Sequence, residues 1–226
     1  MPCRLGALGR PACHAAATLL VTLSLAAVPM QRAGAQAVDG WLVLVVDRSG
    51  SIDDDELRLQ RNAYIEILRD PEMAQAFAGT RIAVVEFDDT AEVVVGWSPA
   101  AEAAARYAAH APLAPRGGTA IGRGLEAAMA LLRDRTGERI IDVSGDGRDN
   151  RDPLLLAEVR AEARREGVEI NGLVFEGRAS ARVTDYFRDM VVSGFTLSIA
   201  DLDDFADALR RKLRRELKLS SREARR

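Results

Sequence analysis

The side chains with the clearest chemical use lie between Trp41 and Ser51. Six apolar residues, Trp41 to Val46, run there into Asp47-Arg48-Ser49-Gly50-Ser51. The apolar run is too short to span a membrane and is rich in β-branched residues, which predicts a strand buried on both faces in a parallel sheet. After it, side-chain oxygens recur at every second position: the carboxylate of Asp47 and the hydroxyls of Ser49 and Ser51. Such a turn at a strand's C-terminal end forms half of a site for a hard cation such as Mg²⁺, which takes oxygen ligands in a near-octahedral shell and keeps some of its waters. Hydroxyl ligands add no charge, so the site stays electron-poor and can accept one more carboxylate from outside. The same residues also suit a plain Ser/Asp turn capping the next helix, so the remaining elements decide between the two.

Those elements alternate. Asp53, Asp54 and Asp55 open a helix running to about Arg69, with Leu57, Tyr64, Ile65 and Leu68 on one face, and Asp70-Pro71 ends it. The three aspartates read as cap and dipole partners in preference to a second cation site. Arg81–Phe87 and Glu92–Trp97 are strands joined by the turn Asp88-Asp89-Thr90, an antiparallel hairpin. Ser98-Pro99 caps an Ala-rich helix to about Ala109. Pro115-Arg-Gly-Gly-Thr119 is a loop before a helix from Ala120 to Arg133. Gly117 and Gly118 let the backbone approach something closely there, and Thr119 presents a hydroxyl to it. This is not a phosphate-binding loop, because no strand precedes it and the Lys-Ser/Thr pair is missing.

Arg139–Val143 is the next strand and runs into Ser144-Gly-Asp146-Gly147, so Asp146 follows it much as Asp47 follows the first. In a parallel sheet both carboxylates emerge at the edge where open α/β folds bind ligands. Asp142-x-Ser144-x-Asp146-Gly147 imitates the opening of an EF-hand loop, but the position requiring a bidentate Glu falls on Pro153. Asp142 is expected to be a buried carboxylate bonded to a neighbour. Asp152-Pro153 starts a helix to Gly167, Val168–Phe175 is a strand, Ala181–Met190 a short helix, and Phe195–Ile199 the last strand. Phe205, Leu209, Leu213 and Leu217 form one face of a closing helix whose other face carries Arg210, Arg211, Arg214 and Lys218. A docked helix with a solvated basic face is the preferred reading, and contact with an anionic membrane surface is the alternative.

The first 37 residues read as a signal peptide. Arg4 and Arg10 precede an apolar stretch, Ala15 to Val28, and Ala35-Gln36-Ala37 offers a small-x-small cleavage signal. Residues 38–219 are then one domain and 220–226 a basic tail, exported to the periplasm or the medium. Cys3 and Cys13 leave with the signal, so the mature chain has no disulfide or thiol chemistry. Removing Arg4, Arg10 and Arg32 from the 31 basic residues leaves 28 against 34 acidic, a net of −6. An acidic domain is a poor general binder of nucleic acid, and no second hydrophobic segment in the mature chain is long enough to span a bilayer.

Asp47-x-Ser49-x-Ser51 after a buried strand resembles the metal-ion-dependent adhesion site of von Willebrand factor type A domains. Thr119 matches that family's second site segment and Asp146 its third, although Gly145 stands where the family has threonine. The Phe87-Asp88-x-x-Ala91 hairpin is similar too. Val143–Gly147, Ile170–Leu173 and Phe205–Leu213 look like a bacterial group of exported type A proteins of undefined role. The resemblance implies a three-layer, Rossmann-like α/β sandwich, with a central mostly parallel sheet, one antiparallel edge strand and helices on both faces. It implies a divalent cation, Mg²⁺ before Mn²⁺ or Ca²⁺, held by Ser49, Ser51 and Thr119 with Asp47 and Asp146 binding directly or through water. It also implies a protein partner whose Asp or Glu completes the shell.

Enzyme readings fare worse. A haloacid-dehalogenase-like phosphatase needs a second aspartate where Ser49 stands. A Ser-His-Asp hydrolase needs a histidine, and the mature chain keeps only His110, on the Ala-rich helix. A metal-activated water would serve hydrolysis, but no general base accompanies it. Cytoplasmic type A subunits that assist AAA⁺ machines are opposed by the signal peptide.

Overall fold

The computed structural model describes residues 38–111, 117–176 and 182–223, with side chains to 217. The expected signal segment, Pro115 and Arg116 of the glycine loop, Ala181, and the side chains of Lys218 and the tail lie outside the described residues.

Six strands form one sheet: β1 (Gly40–Asp47), β2 (Thr80–Phe87), β3 (Ala91–Ser98), β4 (Glu138–Gly145), β5 (Glu169–Phe175) and β6 (Thr196–Ile199), in the order β3-β2-β1-β4-β5-β6. Every pairing is parallel except β2 with β3, the antiparallel edge expected from the hairpin. β1 lies centrally because its apolar residues are wanted on both faces. Leu42, Leu44 and Val46 point to one layer and Val43 and Val45 to the other, all fully buried.

The first layer holds α1 (Asp54–Arg69), α3 (Ala100–Ala109) and α7 (Phe205–Glu223), packed through Tyr64, Ile67, Tyr107, Leu209 and Leu213. The second holds α4 (Ile121–Leu132) and α5 (Pro153–Glu166), packed through Leu125, Met129, Leu156 and Val159. Strand order switches between the parallel neighbours β1 and β4: β2 and β3 are added to one side of β1, and β4 to β6 to the other. The C-terminal ends of β1 and β4 therefore flank the crevice where ligands of doubly wound folds bind.

Local chemistry sets the boundaries. Asp53 is the N-cap of α1 in a reciprocal capping box with Glu56, so the aspartate run does helix-terminus work there. Asp70 both ends α1 and caps a one-turn helix α2 (Pro71–Ala74), which the Pro71 break had concealed. Ser98 does not cap α3. It ends β3 with its hydroxyl donating back to Gly96 O, and the N-cap position falls on Pro99 without a side-chain bond. The helix expected up to Met190 is a single α-turn, α6 (Val183–Tyr186), that widens into a π-helical turn at Phe187–Val191.

Gly122 marks the closest contact between α4 and α5. A Cβ there would stand 2.8 Å from Leu156 N and 3.1 Å from Leu156 Cα, both backbone atoms that cannot swing away. Overpacking costs about 1–3 kcal/mol and outweighs a helix-propensity gain of at most about 1 kcal/mol. Gly122→Ala should therefore lower the denaturant midpoint, by about 1 kcal/mol in stability.

The basic side of α7 is largely engaged. Arg210 pairs with Asp70, and Arg214 lies 3.2 Å from Glu72. α7 thus docks on the sheet and on α2. Among the described residues no helix is long and apolar enough to cross a membrane.

Candidate metal centre

Five side chains singled out by type and spacing meet at the C-terminal ends of β1 and β4. Asp47 closes β1 and is fully buried, with Oδ1 accepting the Ser49 backbone N–H at 2.7 Å. That bond tightens the turn and brings Ser49 Oγ to 3.1 Å from Ser51 Oγ. Thr119 Oγ1 reaches Ser49 Oγ at 3.2 Å, and Ser51 Oγ donates to Asp146 Oδ1 at 2.7 Å. The chain of contacts Thr119–Ser49–Ser51–Asp146 draws three loops into one ring of oxygens. Gly145 leaves room beside it: a Cβ there would come 2.8 Å from Asp47 Oδ2, so a larger residue would require that carboxylate to shift.

Both carboxylates are held in unfavourable surroundings. Burial is the main cause raising Asp47 from 3.8 to about 7, helped by the nearby charges of Asp146 and Asp88 and opposed by the Ser49 N–H. Burial likewise raises Asp146, with Glu56 adding repulsion and the Ser51 hydroxyl working against it. Asp47 Oδ2 has no hydrogen-bond partner although it is buried. A buried carboxylate oxygen without a partner is a costly arrangement for the chain alone. A cation would remove that cost, and the donor set of two carboxylates and three hydroxyls suits a hard divalent ion. Among the described residues no group of three or more His, Cys, Asp or Glu is placed to hold a metal, so softer or carboxylate-rich sites have no equivalent here.

The glycine loop is positioned by Asp89, read from the sequence only as part of a turn, and by residues 149–151, for which the sequence offers no role. Asp89 Oδ1 accepts the Gly118 N–H at 2.8 Å, a bond that holds its carboxyl below the usual range with help from Arg151, its ion-pair partner. Gly117 adopts φ +69°, and a Cβ there would collide with the Asp89 carboxylate. Thr119 is clamped on both sides: its N–H donates to Asn150 Oδ1, and its carbonyl accepts the Asn150 N–H, each at 3.0 Å. Asp149 receives the N–H groups of Gly122, Arg151 and Asp152 at 2.8–3.0 Å and joins the start of α4 to the loop after β4. Arg48, buried beside Asp47, sits 3.4 Å from Asp88. Neither Asp89 nor Asn150 carries a local pattern that would have revealed this supporting role.

Next to the ring, Asp146 and Glu56 rim an apolar cleft lined by Ile52, Leu173, Phe175 and Leu202. His110 lies apart, at the C-terminal end of α3, where its carbonyl accepts from Arg61.

Solved structures with this architecture are numerous. Proximal thread matrix protein 1 from the mussel byssus, in a form whose metal-ion-dependent adhesion site is occupied by zinc, is similar at 21% identity with a TM-score of 0.62. The match covers 80% of this chain and 47% of that one. A von Willebrand factor type A protein from Catenulispora acidiphila matches at 19% identity and TM-score 0.64, over 80% and 43% of the two chains. The pilus adhesin SpaC from Lactobacillus rhamnosus GG matches at 14% and 0.65, over 80% and 30%. The chain thus spans less than half the length of each, and at these identities the likeness is one of fold. No curated protein matches the chain. The sheet order, the antiparallel edge and these likenesses give the fold as von Willebrand factor type A, and the match over residues 37–221 places the chain in the family described as a protein of unknown function, DUF1194.

Proposed function

We propose that this protein is an exported binding module that recognises an acidic side chain of a protein partner through a divalent cation, Mg²⁺ foremost. Asp47, Ser49, Ser51, Thr119 and Asp146 are the residues that hold it. The observation that carries the reading is the cluster of hydroxyl and carboxylate oxygens at the sheet's switch point, beside a buried Asp47 whose Oδ2 has no partner. Two carboxylates only neutralise a divalent ion, so a third from outside finds an electron-poor partner in a partly dry cleft. The neighbouring cleft of Ile52, Leu173 and Phe175 offers apolar surface to whatever flanks that carboxylate. Thread-matrix and pilus-adhesin proteins among the similar structures support an adhesive role, and the signal-like segment supports export. Among the described residues the groups at this site bind and orient, which supports a binding reading over a catalytic one.

The test is a pull-down from the producing cell with wild type and Ser49→Ala/Ser51→Ala, each with Mg²⁺ and with EDTA. Partners should appear only for wild type in Mg²⁺, while circular dichroism of the double variant stays unchanged. Identical partner sets in all four samples would show that another surface does the binding.

A further inference from the structure

Asp142, Lys212 and Glu216 form a second constellation, remote in role from the metal ring. Asp142 lies mid-way along β4, paired in register with Leu44 of β1 and Asn171 of β5. Lys212 and Glu216 sit one turn apart on α7, facing the sheet. Lys212 Nζ is 2.7 Å from Asp142 Oδ2 and 2.7 Å from Glu216 Oε1, and none of the three side chains has access to solvent. The Phe195 ring stands 5.8 Å from Nζ and closes one side, and Tyr64, also fully buried, is close enough to feel the charges of Asp142 and Glu216. Neither Asp142 oxygen nor Glu216 Oε2 has a hydrogen-bond partner, so the Lys212–Asp142 contact is an ion pair without hydrogen-bond alignment.

As an ion cluster this is a poor use of the core. Buried charge pairs are often no better than apolar residues of the same size, and here three carboxylate oxygens lack a hydrogen bond. An amine fixed against a carboxyl in a water-free site is, however, the geometry that makes amide formation fast. Effective molarities for such fixed pairs reach about 10⁵–10⁸ M. We propose that Lys212 and Asp142 condense to an intramolecular amide that ties α7 covalently to β4, with Glu216 as the proton carrier.

The step balances within the site. The Lys212 ammonium passes one proton to the Asp142 carboxylate, giving a neutral amine and a neutral acid with no net movement of charge out of the core. Nζ then attacks Asp142 Cγ, and Glu216 takes a proton from Nζ while giving its own to the departing oxygen. A C–N bond forms, a C–O bond breaks, and one water leaves. No oxidant, reductant or other reactant is required.

The protonation states favour Glu216 as the carrier and set the cost of freeing the amine. Burial, opposed by the Lys212 charge and reinforced by those of Asp142 and Glu169, raises the Glu216 carboxyl well above its ordinary value, which favours its holding a proton to give. Burial works against the Lys212 ammonium, but the facing Asp142 carboxylate, with the Glu216 carboxyl beside it, outweighs burial and raises the amine's pKa. The first proton transfer is thus the uphill part, and the product exchanges two buried ions for one neutral amide.

Peptide mapping of the full, denatured protein decides the matter. Trypsin should release Ile140–Arg148 joined to Lys212–Arg214, lighter than the two together by one water, with no cleavage after Lys212. In Glu216→Gln the linked fraction should fall about tenfold or more, because a positioned proton carrier contributes at least about 10²-fold in rate. Lys212→Arg should yield no linked peptide. Free Ile140–Arg148 and normal cleavage after Lys212 in the wild type would overturn the proposal, as would a link from Lys212 to Glu216 instead. Full linkage in Glu216→Gln would overturn the role of Glu216. The wild-type map is decisive whether or not either variant folds.

Discussion

Replacing Asp47 or Asp146 by alanine should remove Mn²⁺ binding almost entirely, a loss of at least about 100-fold. Even groups that merely support metal ligands cost 10–100-fold when removed. These two bring the only full negative charges among the five predicted ligands, and a hard cation gains most from charged oxygens. Thr119→Ala should cost less, about tenfold, because water can stand in for a neutral hydroxyl. Asp89→Ala offers a control on the supporting layer. It leaves the five oxygens in place but frees the Gly118 N–H and removes the contact that holds the glycine loop, so binding should weaken about as much as for Thr119→Ala. Mn²⁺ titration read by electron paramagnetic resonance or calorimetry measures all four. Wild-type affinity in both aspartate variants would mean that the ring is not a metal centre.

The ring was legible because its members follow simple local rules. β1 is apolar from Trp41 to Val46, so its first polar residue, Asp47, falls at the sheet's ligand-binding edge, and Asp146 directly follows the parallel β4 at the same edge. Alternation at Ser49 and Ser51 and the glycine pair before Thr119 did the rest. The clamp behind the ring was not legible, because Asp89, Asp149 and Asn150 act through backbone N–H groups of residues distant in sequence. Nothing in a turn such as Asp88-Asp89-Thr90 tells which N–H it will meet.

Lys212 and Glu216 show a different failure. Three and seven residues after Leu209, they lie in the same helical stripe as Phe205 and Leu213, so spacing alone places them against the sheet. Residue type argued the opposite, since lysine and glutamate are almost never fully buried unless paired. Asp142 was readable as a buried carboxylate, but its partner was not, because the pairing joins β4 to the end of the chain. The one-turn helix α2 and the π-turn at Phe187–Val191 were hidden for a smaller reason: segments of four or five residues give hydrophobic periodicity too little length to register.

The second large effect concerns Asp47 as an acid in the metal-free protein. Its folded pKa, about 7, lies above the unfolded value of 3.8 because its carboxylate is buried with one oxygen unpartnered. In that interval the folded state binds the proton and the unfolded state does not. Stability in EDTA should therefore fall as pH rises from about 4 to about 7, by 1.36 kcal/mol per unit at most. Asp47→Asn removes this titration while keeping an oxygen to accept the Ser49 N–H. Near pH 5 the variant should be no more stable than the wild type, because both side chains are then neutral and the new amide N–H₂ is itself buried without an acceptor. Near pH 8 it should be the more stable of the two, with the difference having grown by roughly 2–3 kcal/mol. Divalent metal should reverse the order, since it stabilises the wild type in proportion to its affinity and the variant much less. Denaturant unfolding of both proteins at the two pH values, with EDTA and with Mg²⁺, reads every one of these signs. Parallel pH profiles for wild type and Asp47→Asn in EDTA would show that the Asp47 carboxylate is not the strained group, and the buried oxygen would lose its standing as the mark of a cation site.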